Sequence, residues 1–413
     1  MAKGAYIGVD GIAKKIKKGY IGVDGVARRI KKAYIGIGGV ARPCWSSGEL
    51  VYYGTITSLS AARNNVSATT VGNYALFGGG NDSSKYFTTV DAYNTSLTRS
   101  TPTALSRGRT NIEATTVGNY ALFGGGSDSS NYFTTVDAYN TSLTRSTPTA
   151  LYTKRTSFCA TTVGDYAVFA GGRNDSTTQV RIGSYYYNLP TSLTTVDAYN
   201  TSLTRSTPTA LRTGRSDHAA TTVGNYALFG GGYITDAKKA NNSSNVYLVS
   251  TSTVDAYNTS LTRSTPTELS AARAYLAATT VGNYALFGGG FDSFGGGSDS
   301  FGGGYVSNEE VYPIVDAYDT SLTRSTPTEL SAASQSLGAA TVGNYALFGG
   351  GANLSEYLST VTAYNASLTR SVPTGLSVAR NICTSTTTVG NYALFGGGFS
   401  DEYHSAVDAY TIS

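Results

Sequence analysis

Residues 74–80 read YALFGGG, a short apolar run closed by three glycines. The string returns at 120, 226, 284, 345 and 392, and a variant, YAVFAGG, stands at 166. A run this short, bounded by glycine, marks a buried strand rather than a helix. Successive copies lie 46 residues apart at the closest (74 to 120) and 61 at the widest (284 to 345), so each belongs to a longer repeated unit.

One unit shows the pattern. LSAARAYLAATTVGNYALFGGG (269–290) is followed by a variable stretch and then by IVDAYDTSLTRSTPTEL (314–330). The spacing predicts four short strands. The first is the Ala/Thr-rich segment 277–281. A tight Gly282-Asn283 turn leads into the second, 284–287, which the glycines end. A loop of variable length precedes a third strand, Val-Asp-Ala-Tyr. The fourth runs through Leu-Thr-Arg-Ser and is stopped by Thr-Pro. Four short antiparallel strands at a period near fifty describe a propeller blade. Large residues of the second strand fill the space between blades, while Ala and Gly leave room where backbones approach.

These units resemble the kelch repeat family over roughly residues 50–413. The resemblance rests on the aromatic-plus-apolar strand ending in Gly-Gly, on the Val-Asp-Ala-Tyr strand, and on an Arg shortly before the next unit. The family's fourth-strand Trp is missing; Thr98 or Arg99 stands near its place. The implied fold is all-β, a seven-bladed kelch-like β-propeller. The second and third strands each occur seven times but the fourth only six, because the sequence stops at Ser413. Residues 53–60, YGTITSLS, match the missing copy. They are expected to pair with 407–410 and close the ring, which removes free strand edges.

The first 45 residues are a different repeat. AYIGVDGIAKKIKK, GYIGVDGVARRIKK and AYIGIGGVARPCW place tyrosine at 6, 20 and 34. Each pairs two β-runs across an Asp-Gly or Gly-Gly turn, a hairpin signal. Such hairpins are marginal alone and call for a partner or self-association. This segment is similar to repeats in tail and appendage proteins of phages and prophages of Gram-positive bacteria. The domain division expected is therefore 1–45, a basic attachment segment, and 46–413, the propeller.

Charge follows the same division. Residues 1–42 hold ten Lys/Arg against two Asp, net +8; the rest holds twenty against twenty-four acidic groups, net −4. Lys14, Lys15, Lys17, Lys18, Lys31 and Lys32 read as solvated hairpin faces, and no aromatic stacking pattern accompanies them, so no nucleic-acid partner is expected. No apolar run is long enough for a membrane span, and no hydrophobic stretch follows the basic start as a secretory signal would require. Cys44, Cys159 and Cys383 are too few and too dispersed for a disulfide framework or a zinc site, which fits synthesis in a reducing cytoplasm.

The two rims of the expected ring differ. Turns on one rim, Val-Gly-Asn and Asn-Thr-Ser-Leu-Thr-Arg, are near copies. On the other rim the loops between second and third strands run nine residues in the first, second and sixth units and eight in the last, but 23, 21 and 24 at 173–195, 233–253 and 291–314. These long loops are rich in Tyr, Ser, Gly and Asn, a mixture that gives rigid amphipathic area with adaptable hydrogen bonding. Tyr185, Tyr186, Tyr187, Tyr233, Tyr247, Phe291, Phe294, Phe301 and Tyr305 are the expected ligand-contacting residues. Unconstrained drift is the competing account, and FGGGSDSFGGG looks like a slippage product.

A covariation within the chain predicts ion pairs. Arg opens the first strand at 63, 109, 155, 215, 273 and 380, and Asp occupies the third at 91, 137, 197, 255, 316 and 408. The sixth unit has Ser334 and Thr362 instead, so both charges vanish together. First and third strands lie about 9–10 Å apart. An Arg lying over the glycines could span that gap to the Asp. Six structural pairs are expected: Arg63–Asp91, Arg109–Asp137, Arg155–Asp197, Arg215–Asp255, Arg273–Asp316 and Arg380–Asp408.

Catalytic signatures are not written. A copper oxidase of the kelch type would need more histidine ligands than His218 and His404, which lie in different units. Sialidase Asp boxes and nucleotide-binding glycine motifs are absent from the sequence. Asp82, Asp128, Asp175, Asp292 and Asp299 read as Asx-turns rather than calcium ligands. No catalytic residue, metal or cofactor is expected. The expectation is a non-enzymatic virion or phage-tail-like component. Its first 45 residues would join other tail proteins, and its loop face would bind a host-surface glycan or protein. A scaffold or decoration role, or a cytoplasmic kelch interaction module, are the alternatives.

Overall fold

The computed structural model describes the strands within residues 6–46 and then residues 48–413, apart from 183, 240–245 and 295–307. Side chains are described for 48–181, 184–236, 248–292 and 309–413. Among the described residues every regular element is a β-strand. The first segment forms two-stranded antiparallel pairs, Tyr6–Val9 with Ile12–Lys15, Gly19–Val23 with Val26–Ile30, and Lys32–Ile37 with Val40–Ser46.

Seven four-stranded antiparallel sheets follow among the described residues. The first sheet is Ser67–Val71, Tyr74–Gly78, Val90–Asn94 and Arg99–Ser100, hydrogen-bonded in that order. Each later sheet repeats it, and the fold is all-β and propeller-like. The fourth strand is shorter than the sequence implies, only Arg-Ser, because Asn94 Oδ1 captures the N–H groups of Ser96 and Thr98 and bends the chain just before it.

The second strand is buried on both faces, which explains its unbroken apolar run. In the first sheet, Leu76 packs with Ala121, Phe123 and Tyr139 of the second sheet. Ala75 and Phe77, pointing the other way, pack with Leu394, Val407 and Ala409 of the seventh. The three glycines do different work. A Cβ on Gly78 would stand 2.9 Å from the Phe123 ring of the next sheet. Gly79 lies at φ +70°, and a Cβ there would meet the Arg109 carbonyl at 2.8 Å.

First strands of neighbouring sheets are tied by threonine hydroxyls: Thr69–Thr116 at 2.9 Å, Thr115–Thr162 and Thr161–Thr222 at 3.0 Å, Thr221–Thr280 at 2.9 Å, and Thr279–Thr341 at 2.8 Å. Thr70 bonds Thr387 of the seventh sheet at 2.9 Å.

The seventh sheet uses both ends of the chain. Leu50–Ile56 pairs antiparallel with Val407–Ile412, Leu50 opposite Ile412 and Ile56 opposite Val407. The strand therefore starts three residues before the expected 53–60, and 57–60 lie outside it. Thr57 has another role: its carbonyl accepts the Tyr93 hydroxyl at 2.7 Å.

Deleting residues 1–57 should leave Val407–Ile412 as an open edge over an uncovered apolar interface. The expected outcome is a lower melting temperature and concentration-dependent association in size-exclusion chromatography.

Candidate functional site

The six charge pairs have short separations. Arg63–Asp91, Arg155–Asp197 and Arg380–Asp408 lie at 2.7 Å, and Arg109–Asp137, Arg215–Asp255 and Arg273–Asp316 at 2.8 Å. All twelve side chains are fully buried. The guanidinium also donates to second-strand carbonyls: Arg273 reaches Gly289 O at 2.8 Å and Phe287 O at 3.3 Å. Burial lowers the pKa of Arg109, Arg155 and Arg215. A second arginine, not anticipated from the sequence, completes five of these sites. Arg99, Arg145, Arg205, Arg263 and Arg324 lie 2.7–3.0 Å from the same carboxylates. The signal was the invariant Arg of the Leu-Thr-Arg-Ser strings. It sits beside the third strand, where Arg99 is opposite Tyr93. At Asp408 the Tyr52 hydroxyl donates instead, at 2.6 Å. In the sixth sheet Ser334 donates to Gly350 O at 2.9 Å, and Thr362 bonds Ser331 at 2.7 Å. The pairs are internal and hold the sheets' edges; they present nothing to a ligand.

The three long loops fold as hairpins: Arg173–Ile182 with Tyr185–Ser192, Tyr233–Lys239 with Val246–Ser250, and Phe291–Phe294 with Asn308–Val311. They stand side by side. The first and second touch through Ser192 N–H to Thr235 Oγ1 at 2.5 Å and Thr235 Oγ1 to Pro190 O at 3.2 Å, and the second meets the third. Tyr185 and Tyr186, near the first hairpin's tip, are 65% and 61% exposed, and Tyr187 is half-buried. Tyr233 corrects the sequence reading. It is buried at the hairpin base, its ring edge-on to Tyr275 at 5.6 Å, because the residue after the glycines still pairs with Ser216 of the preceding strand. Phe291 is half-buried at an equivalent base, its N–H bonded to Ala274 O. Tyr247 and Phe294 lie on described strands, but their side chains are outside the described residues. Phe301 and Tyr305 lie outside the described residues altogether.

Beside the hairpins a cavity of about 400 Å³ opens where the first strands of all seven sheets begin. Asn65, Asn111, Ser157, Asp217, Tyr275, Ser336 and Cys383, one from each sheet's approach, line it, and all have φ between +46° and +55°. That conformation turns backbone N–H groups toward the preceding unit. Asp217 N–H bonds Ser157 O, Tyr275 N–H bonds Asp217 O, Ser336 N–H bonds Tyr275 O, and Cys383 N–H bonds Ser336 O, at 2.9–3.1 Å. Non-glycine residues here carry a cost of about 1–3 kcal/mol each.

The cavity is acidic. Glu113 lines it. Burial, with the nearby Asp217 charge, pushes Glu113 well above the ordinary glutamate range. Asp217 accepts from Ser216 Oγ at 2.8 Å and lies 3.7 Å from Arg173 of the first hairpin. Burial also raises Cys159 strongly, pushes Cys383 up to about 11 and Tyr275 up to about 12, and holds His218 neutral. Protonated thiols are poor nucleophiles. Cys159 donates to the backbone carbonyl of His218, not to its ring. Among the described residues no group of three His, Cys, Asp or Glu side chains could hold a metal ion. Asp82 and Asp128 cap their own turns, accepting N–H groups two and three residues on. Asp175 is instead paired with Lys154 at 2.5 Å, and Asp292 is buried.

No family model matches the chain, and no curated protein matches it. Among solved structures it is similar to one described as "Structure of YjhT", with a TM-score of 0.55 and 13% identity over 77% of this chain and 99% of that one. At that identity the likeness concerns the fold alone.

Two measurements address these sites. Asp316→Thr leaves Arg273 buried without its counter-charge and should cost about 3–5 kcal/mol in urea unfolding. The double change Arg273→Ser with Asp316→Thr, which copies the sixth sheet, should recover about 1 kcal/mol or more of that loss. Separately, a raised carboxyl pKa favours folding below the unfolded value of 4.5 and loses that contribution as pH rises toward the folded value. Glu113→Gln should therefore raise the melting temperature at neutral pH, and the gain should shrink below pH 4.5.

Proposed function

We propose that residues 46–413 form a seven-bladed kelch-like propeller closed by their own N-terminal strand, and that the chain is a non-enzymatic attachment protein of a phage tail or tail-like particle. The hairpins of residues 1–45 join other particle proteins. The rim carrying the three long hairpins binds a host-surface glycan or protein. One observation carries this reading: the three insertions stand side by side on one rim, the first and second tied by hydrogen bonds and the third meeting the second. Their place on three consecutive sheets sets the hairpins next to one another, so together they make one wall. Tyr185 and Tyr186 give that wall exposed aromatic area on a rigid mount. The opposite rim supports the same assignment, since its turns are short, nearly identical copies capped by their own Asn side chains. Weak single contacts become firm attachment when one particle carries many copies.

The test is a loop exchange in the full chain. Residues 173–195 are replaced with the nine residues 81–89, and binding to whole host cells is measured by sedimentation. Attachment should fall about tenfold or more while the circular dichroism spectrum is kept. Unchanged attachment would count against the rim as the contact surface.

A further inference from the structure

We propose that the central cavity binds a primary ammonium group carried on a polar ligand of monosaccharide size, with Glu113 and Asp217 as its counter-charges. The wall includes oxygen acceptors that no donor meets among the described residues. Asn64 Oδ1 and Asn381 Oδ1 are buried without a partner, and Glu113 lines the same cavity. An ammonium group brings three donors and no acceptor, which suits these oxygens. The cations nearby are already engaged: Arg215 with Asp255 at 2.8 Å, and Arg173 with Asp217 at 3.7 Å.

A second observation is independent of charge. The repeats are near copies along ATTVGNYALFGGG, yet they differ at the positions that face the cavity. Asn65, Asn111, Ser157, Asp217, Tyr275, Ser336 and Cys383 occupy the lining. Two residues on from the first three stand Ser67, Glu113 and Cys159. These differences stand in the cavity wall, at and beside positions that hold costly backbone, where a ligand would select them.

The proton balance is explicit. Burial favours the protonated form of Glu113. When R–NH3+ enters, the carboxyl ionises to form the ion pair, and its proton passes to the buffer. Asp217, Cys159, Cys383 and Tyr275 face Glu113 across the cavity, with His218 in the wall, Arg215 behind Cys159 and Arg173 on Asp217. The thiols and the phenol stay protonated at neutral pH, so Glu113 is the proton source.

This inference does not rest on particle attachment; failure of whole-cell binding would leave it standing. The experiment is isothermal titration of the full chain with glucosamine, N-acetylglucosamine and glucose at neutral pH. Two buffers of different ionisation enthalpy are used. Glucosamine should bind about tenfold tighter than either neutral sugar, with a buffer-dependent enthalpy that reports proton release. Glu113→Gln should abolish the proton release and weaken glucosamine about tenfold, while melting curves show it folded. Asp217→Asn should weaken binding without removing the release. Failure of glucosamine to bind, equal affinity for the three sugars, or undiminished binding by both variants would overturn the proposal.

Discussion

The structure depends on close contact where one sheet meets the next: six sheets carry no side chain there and the third only the methyl of Ala170. Gly78, Gly124, Gly230, Gly288, Gly349 and Gly396 each lie against a phenylalanine ring of the following sheet, with 2.8–3.1 Å to a would-be Cβ. Gly396 meets Phe77, so the seventh sheet stands to the first as the first stands to the second. Each ring fills the hollow its neighbour leaves, and the contact fixes the distance between sheets. Once that distance is fixed, the threonine hydroxyls of adjacent first strands come within bonding reach and the apolar faces of the second strands are covered on both sides.

Close approach has an electrostatic counterpart. Backbone carbonyls at the glycine ends would face a dry interior without donors. A buried arginine supplies the donors, and a buried aspartate balances its charge. The sixth sheet shows that the arrangement is one solution of two. There Ser334 and Thr362 meet the same carbonyl environment without any charge. Removing both members of a buried pair is tolerable because neither is then stranded.

Much of this was legible in the sequence. Strand order, the Gly-Asn turns and the Arg–Asp partners were readable because the repeats print the same solution many times, and one divergent copy exposes which residues depend on each other. The second arginine, Arg99 and its equivalents, escaped because it never varies with Asp91 and its equivalents; Arg370 remains where Asp is gone. The cavity escaped for a different reason. Glu113, Asp217, Tyr275 and Cys383 lie far apart in sequence and carry no motif. They meet only because each opens a first strand at the same end of its sheet. Their signal was present as variation within otherwise copied units, but variation was sought in loop length, not at single positions. Tyr233 misled because composition identifies a contact-prone loop without telling its base from its tip.

The pairing of Leu50–Ile56 with Val407–Ile412 joins an early-made strand to one made much later. Ser413 N–H bonds Glu49 O, and Gly48 N–H bonds Ser413 O, at 2.8 and 3.1 Å. On the ribosome the early strand must therefore wait, unpaired, through the translation of nearly the whole chain, exposed to wrong partners. A chain released before Val407 leaves Leu50–Ile56 without the strand it meets. Premature release thus exposes a strand edge that other chains can pair with.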